Sequence, residues 1–217
     1  HINFATYGNG RWVSGNYDGL FYSDNNGKTW TASDVTESCD SVIYANGVWI
    51  AYSDHASDLY YSANGKNWTK IVLTSEKSQT SFVTYMNGLW LAGGYYGLYY
   101  SIDGLNWTQS NLTDDVEFAI NANNLWIAGG YGGKYYSTNG IDWTQSNQTT
   151  GGFKTITYAD GIWLAGGYNS NGLYYSTDGM TWTQSNLTSG NFYAITKTNN
   201  LWVAGSYGHG SVATGLY

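Results

Sequence analysis

Two tryptophan series alternate along the whole chain and constrain what it can fold into. The first is Trp12, Trp49, Trp90, Trp126, Trp163 and Trp202, usually followed by an apolar residue, a small residue and glycine. The second is Trp30, Trp68, Trp107, Trp143 and Trp182, each followed by threonine. Neighbours within a series stand 36 to 41 residues apart. Six copies of one and five of the other make five whole repeats and a partial sixth. A fixed period of this size marks a repeat architecture, in which each unit buries its apolar face by stacking on the next.

Each repeat reads as four short strands. In the fifth, residues 153–158 are β-rich and form strand one. Asp160-Gly161 then signals a type I′ hairpin, and residues 162–165 form strand two. Residues 166–172 are a longer loop, 173–176 strand three, Asp178-Gly179 a second tight turn, and 180–184 strand four. The first turn recurs as Asn9-Gly10, Asn46-Gly47, Asn87-Gly88, Asn123-Asn124 and Asn199-Asn200. The second recurs as Asn64-Gly65, Asp103-Gly104 and Asn139-Gly140. Asn, Asp and Gly suit such turns because they tolerate positive φ. There is no proline, as expected of chain committed to ladder pairing. No helical periodicity of useful length competes.

The expected fold is all-β: a six-bladed β-propeller of four-stranded antiparallel blades with the last blade incomplete. One domain is expected over residues 1–217, with repeats at approximately 2–35, 41–74, 80–113, 116–149, 152–188 and 191–217. Packing of Trp and Tyr between blades accounts for the 18% aromatic content without any functional appeal.

Charge and composition exclude some partners. The net charge of −7, the single arginine (Arg11) and the scattered lysines disfavour nucleic acid, which needs a basic groove. No run of about 18 apolar residues exists, so membrane insertion is not expected. The one cysteine, Cys39, precludes an intrachain disulfide and reads as a small core residue. No neighbouring base or cation supports a reactive thiol. Few charges with many Gly, Asn, Ser, Thr, Tyr and Trp suggest a secreted or surface protein. A chain beginning at His1 reads as processed or as a fragment.

The turn between strands three and four resembles the Asp-box, or BNR repeat, of sialidase-like propellers, which runs Ser-x-Asp-x-Gly-x-Thr-Trp. Residues Ser23 to Trp30 match its spacing, with Asn25 in place of the Asp. Four further copies are one residue shorter: Ser62 to Trp68, Ser101 to Trp107, Ser137 to Trp143 and Ser176 to Trp182. The resemblance implies a structural hairpin on the outer part of each blade, remote from any active site. It also implies a test, because sialidases bind the substrate carboxylate with three arginines. Lysine does not supply that bidentate geometry. With Arg11 alone the cluster cannot be built, so sialidase activity is not expected.

Candidate ligand-binding residues follow from the strand order. With strand one innermost, the loops between strands two and three share a face with the loops from strand four to the next blade. Five positions after each first-series tryptophan lie Tyr17, Asp54, Tyr95, Tyr131, Tyr168 and Tyr207. Tyrosines on one face can stack on sugar rings and offer a hydroxyl. Equally, each can simply cover the adjacent glycine pairs (Gly93-Gly94, Gly129-Gly130, Gly166-Gly167) and pack on the neighbouring blade. Blade two breaks the pattern with residues 52–58, which contain Asp54 and His55. Near that face lie Glu37, Asp40, Glu76, Asp114, Asp115 and Glu117. A carboxylate pair could hydrolyse a glycosidic bond, several could hold Ca²⁺, or the rim could serve solubility. No calcium-loop spacing is present, and Asp54, His55 and Asp58 are a poor zinc set. No metal, cofactor or catalytic residue is expected.

Asn-x-Ser/Thr sequons occur at Asn67, Asn106, Asn111, Asn147 and Asn186, the last three at one repeat position. Glycosylation in a secretory pathway and plain repeat copying explain them equally well. The short sixth blade leaves an edge open to self-association. The leading reading is a non-catalytic extracellular or surface module that binds a glycan or glycoprotein through its loop face. The alternative is a glycosylated, self-associating structural subunit of an extracellular or viral appendage, and the third is a glycoside hydrolase.

Overall fold

The computed structural model describes residues 4–53, 58–73, 79–147, 152–168, 172–198, 201–206 and 213–214, and these contain strands and turns but no helix. They group into two compact units, His1–Gln109 and Ser110–Tyr217.

Three four-stranded sheets make up the first unit. β1 (Phe4–Gly8), β2 (Arg11–Asn16), β3 (Gly19–Ser23) and β4 (Thr31–Ala32) form one. β5 (Ser41–Ala45), β6 (Val48–Tyr52), β7 (Asp58–Ser62) and β8 (Thr69–Val72) form the next. β9 (Thr80–Met86), β10 (Leu89–Gly94), β11 (Gly97–Ser101) and β12 (Thr108–Gln109) form the third. The second unit repeats the scheme. Its first sheet is β13 (Phe118–Ala122), β14 (Leu125–Gly130), β15 (Gly133–Ser137) and β16 (Thr144–Gln145). Its second is β17 (Phe153–Ala159), β18 (Ile162–Gly167), β19 (Tyr174–Ser176) and β20 (Thr183–Gln184). Its third has three strands among the described residues: β21 (Phe192–Thr198), β22 (Leu201–Ser206) and β23 (Ala213–Thr214). Within every sheet, strands pair antiparallel in chain order. Six such meanders in series are the blades of a six-bladed β-propeller whose last blade is incomplete, as the repeat predicts.

The first turns are type I′, with positive φ at both central residues: Asn9 and Gly10 at 46° and 77°, Asp160 and Gly161 at 48° and 78°. Asn199-Asn200 lies outside the described residues. The second turns are built differently. At Asp178-Gly179 only the glycine has positive φ, and β20 begins at Thr183 rather than at residue 180. The residues between are held by side chains instead of by a ladder. Ser176 Oγ accepts from Gly179 N at 2.8 Å and donates to Asp178 Oδ1 at 2.9 Å. Asp178 Oδ1 also accepts from Met180 N and Thr181 N, at 2.8 and 2.7 Å. Trp182 Nε1 closes the turn on Gly179 O at 3.1 Å. Aspartate here acts as a local acceptor that wins over strand pairing.

Within each unit the core lies between successive sheets. Every residue of β10 and of β14 is buried, as expected of strands covered on both faces. Trp49, Trp90, Trp126 and Trp163 are buried, and Trp143 and Trp182 of the other series join them. Tyr44, Tyr85 and Tyr158 tilt onto Trp49, Trp90 and Trp163 with centroids 4.6–4.9 Å apart. The core reading of the tryptophans therefore holds. Cys39 is fully buried, and burial, then the charges of Asp40 and Glu37, push its thiol to about 12. It is an inert packing residue.

Candidate recognition site

In the second unit the repeat gathers three tyrosines. Tyr131 follows β14, Tyr168 follows β18, and Tyr193 stands in β21. Tyr131 and Tyr168 stack, with centroids 6.0 Å apart and planes 15° apart. Tyr193 meets Tyr168 edge-on at 5.1 Å. Tyr131 is 51% exposed and Tyr193 38%, so the cluster is open to solvent. The glycine pair before Tyr131 explains its position. A Cβ at Gly129 would meet the Phe118 ring at 2.7 Å, and one at Gly130 would meet Asp115 O at 2.3 Å. Phe118 and the loop backbone thus fill the space over the glycines, and Tyr131 is left to project. A Cβ at Gly152 would lie 3.3 Å from both Tyr131 and Tyr168, and the Gly152 carbonyl accepts from Tyr168 N.

A charge pair underlies the rings. Lys154, in β17, places Nζ 4.8 Å from the Tyr168 centroid and 5.9 Å from that of Tyr131. The same Nζ donates to Glu117 Oε1, just ahead of β13. The Glu117 side chain is 10% exposed and that of Lys154 27%. Burial raises the Glu117 carboxyl above its ordinary range despite Lys154. Burial opposes the Lys154 charge, but the bond to Glu117 outweighs it and the ammonium is held above its usual value. Asp115 is also raised by burial, with Lys154 opposing. Beside them, Tyr135 Oη donates to Asp114, accepts from Gln145 Nε2 at 3.2 Å, and is pushed well up by burial and by Asp114. Asp115 and Glu117 on the loop into β13 and the tyrosines after β14 and β18 thus share a face, as the strand order predicts.

Elsewhere the predicted residues are not gathered this way. Tyr17 is 68% exposed. Tyr95 is 62% exposed and meets only Tyr96, edge-on at 5.1 Å, among the described rings. Asp54, His55, Glu76 and Tyr207 lie outside the described residues. Asp40 Oδ2 accepts from Ser53 Oγ at 3.1 Å. Glu37 and Asp58 both face Lys70, at 3.7 and 2.8 Å. Among the described residues no three His, Cys, Asp or Glu side chains converge as metal ligands. Arg11 is committed: its Nε bonds Asp24 Oδ1 at 2.7 Å and its Nη1 bonds Asn64 O.

The sequons divide by what their amides do. Asn111 Oδ1 accepts from Trp143 N at 2.8 Å while its Nδ2 donates to Trp143 O at 2.9 Å. Asn147 treats Trp182 in the same way. Asn106 Nδ2 bonds Asp103 Oδ2 at 2.7 Å inside its own turn. Asn67 and Asn186 are exposed and make no side-chain hydrogen bond among the described residues. Asp34 holds the position of Asn111 in the first sheet and accepts from Trp68 N with both oxygens.

Sequence reasoning missed three things here. The aspartate or asparagine four residues after a turn tryptophan is a sheet-to-sheet clamp at Asp34, Asn111 and Asn147, and its recurrence there and at Asn186 was the available signal. Lys154 and Tyr193 lie on strand one of their repeats, where attention to loops did not reach. Lys134 interrupts a column of leucines (Leu20, Leu59, Leu98, Leu173) at one repeat position near the start of strand three, a break visible in the sequence. It is fully buried, its Nζ 3.3 Å from the Phe153 centroid and 4.3 Å from Trp182.

No protein-family model and no curated protein matches the chain. Solved structures do. The chain is similar to the computationally designed Ika8 protein (12% identity, TM-score 0.65, 94% of this chain and 68% of that one). It is similar to an ancestral GH74 enzyme (16%, 0.68, 94% and 34%), of which it spans about a third. It is also similar to YCF48, solved bound to D1 peptide (16%, 0.59, 94% and 74%). At these identities the likeness establishes the fold, a β-propeller.

Proposed function

We propose that this chain is a non-catalytic recognition module, extracellular or surface-borne, that binds carbohydrate through the tyrosine face of its second unit. The observation that carries the reading is the exposed Tyr131–Tyr168 stack with Tyr193 at its edge. Aromatic faces beside a few polar groups are the usual means of holding a sugar ring, whose C–H face is apolar and whose edge is hydroxylated. The glycine pairs are covered by other groups, so covering them does not require Tyr131 to stand there.

We read the serine-anchored turns as Asp-boxes, on the serine and carboxylate network around Gly179 and its counterparts. Sialidase chemistry is set aside because the sole arginine is engaged by Asp24. The hydrolase reading draws on the fold shared with a GH74 enzyme. It is weakened because Asp115 and Glu117 stand on one loop and Glu117 is tied to Lys154. The assembly reading draws on the three-stranded last sheet.

A glycan array followed by calorimetry tests the proposal. Y131A and Y168A should each weaken binding about tenfold or more, since a well-placed aromatic contact is worth roughly 0.5–1.5 kcal/mol beyond its area. Y17A and Y95A should leave it unchanged. Binding to no glycan, or equal losses in all four variants, sinks it.

A further inference from the structure

We infer that Glu117 determines the ligand class of this face: by cancelling the charge of Lys154 it makes the tyrosine platform a site for uncharged sugars and shuts out uronates and sialates. This rests on the carbohydrate reading above and names the substrate class for it.

Lys154 is the one ammonium over the rings of Tyr131 and Tyr168 among the described residues. Left alone, it would offer a cation beside an aromatic shelf, suited to a sugar carboxylate. Glu117 already occupies it through Oε1. That carboxylate is mostly buried, so water screens its attraction to Lys154 less than it would at an open surface. Its other oxygen, Oε2, is buried with no partner. An incoming carboxylate that took Lys154 would strand Glu117 as an unpaired buried charge, which is strongly destabilising. Approaching without Lys154, it would meet the charge of Asp115, which already acts on Lys154. A neutral pyranose meets neither obstacle.

The test uses matched probes, lactose against sialyllactose and cello-oligosaccharide against oligogalacturonate, with wild type, E117Q and the double variant E117Q/K154M. Glutamine keeps the size of Glu117 and an acceptor for Lys154, so E117Q frees the charge without emptying the site. Wild type should bind the neutral member of a pair and not the acidic one. E117Q should gain about tenfold for the acidic member through a charge-assisted bond, a gain that fades as salt rises. E117Q/K154M should lose that gain. If wild type binds both members equally, or E117Q gains nothing while neutral binding persists, the inference is overturned and the carbohydrate reading stands. If no variant binds any sugar, the carbohydrate reading itself has failed and takes the inference with it.

Discussion

Asn147 grips both backbone polar atoms of Trp182, accepting from its N–H at 2.8 Å and donating to its carbonyl at 3.1 Å. A side-chain amide here does the work of a strand neighbour, joining one sheet to the turn of the next. N147A and N111A leave a tryptophan N–H and carbonyl without partners. Each should cost about 1–3 kcal/mol, the penalty for abandoned polar groups. N186A removes the same side chain where no such bond is made among the described residues, and its urea midpoint should match wild type. Equal effects at all three positions would refute the clamp.

The same geometry bears on glycosylation. Because Oδ1 and Nδ2 both face one residue, the donated hydrogen lies on the oxygen side of the amide. A substituent on a planar amide nitrogen takes that side, as the next Cα does in a trans peptide. A glycan on Asn111 or Asn147 therefore displaces the hydrogen that bonds the tryptophan carbonyl. After secretion from a eukaryotic host, site-resolved mass spectrometry of folded protein should find glycan at Asn67 and Asn186 and little at Asn111 or Asn147. Full occupancy at the latter pair, with unchanged thermal stability, contradicts this.

The turns predict an acid response. Asp178 is held below its ordinary value by the backbone N–H groups of Thr181 and Met180. Asp103 is lowered further, by the backbone and side chain of Asn106 and by Leu105 N–H. A carboxyl lowered on folding contributes stability above its unfolded value of 3.8, and the contribution is lost as pH falls below that. Asn64 and Asn139 fill the same position in other sheets and bond the same N–H groups through a neutral oxygen. D103N and D178N should therefore fold normally at neutral pH and lose less stability than wild type between pH 4 and about pH 2. Identical acid-unfolding curves for wild type and D103N/D178N would dispose of this account.

How far the sequence could be read follows from what each feature depends on. The strands, the type I′ turns and the tryptophan core come from local alternation and from residues that accept positive φ, and both repeat every blade. The start of strand four did not follow from alternation, because Asp178 captures Met180 and Thr181 N–H groups that a ladder would have used. Tyr131 and Tyr168 were visible as a recurring tyrosine, but their difference from Tyr17 and Tyr95 was not. That difference comes from Lys154, Glu117 and Tyr193, which approach from strands distant in sequence. A repeat exposes what every blade shares, and the site is made from what only two or three blades supply.

Lys134 gives the sharpest pH prediction. Its Nζ lies over Phe153, Trp182 and Tyr174, at 3.3, 4.3 and 4.5 Å, with no hydrogen-bond partner and no paired carboxylate among the described residues. Three aromatic faces favour a cation by about 2 kcal/mol, but complete loss of water costs a buried charge more than that. Burial therefore wins, and the amine is held well below the ordinary lysine value. Since the unfolded chain regains that ordinary value near 10.5, it binds a proton that the folded chain refuses. Stability should fall steadily as pH drops from about 10 toward the lowered value. K134L restores the residue found at this place in Leu20, Leu59, Leu98 and Leu173 and should raise the urea midpoint at neutral pH. K134M, nearer in length, separates charge from volume: it should abolish the same pH slope even if packing around Phe153 changes. A midpoint that varies with pH in K134L and K134M as it does in wild type would show that this amine is not the titrating group.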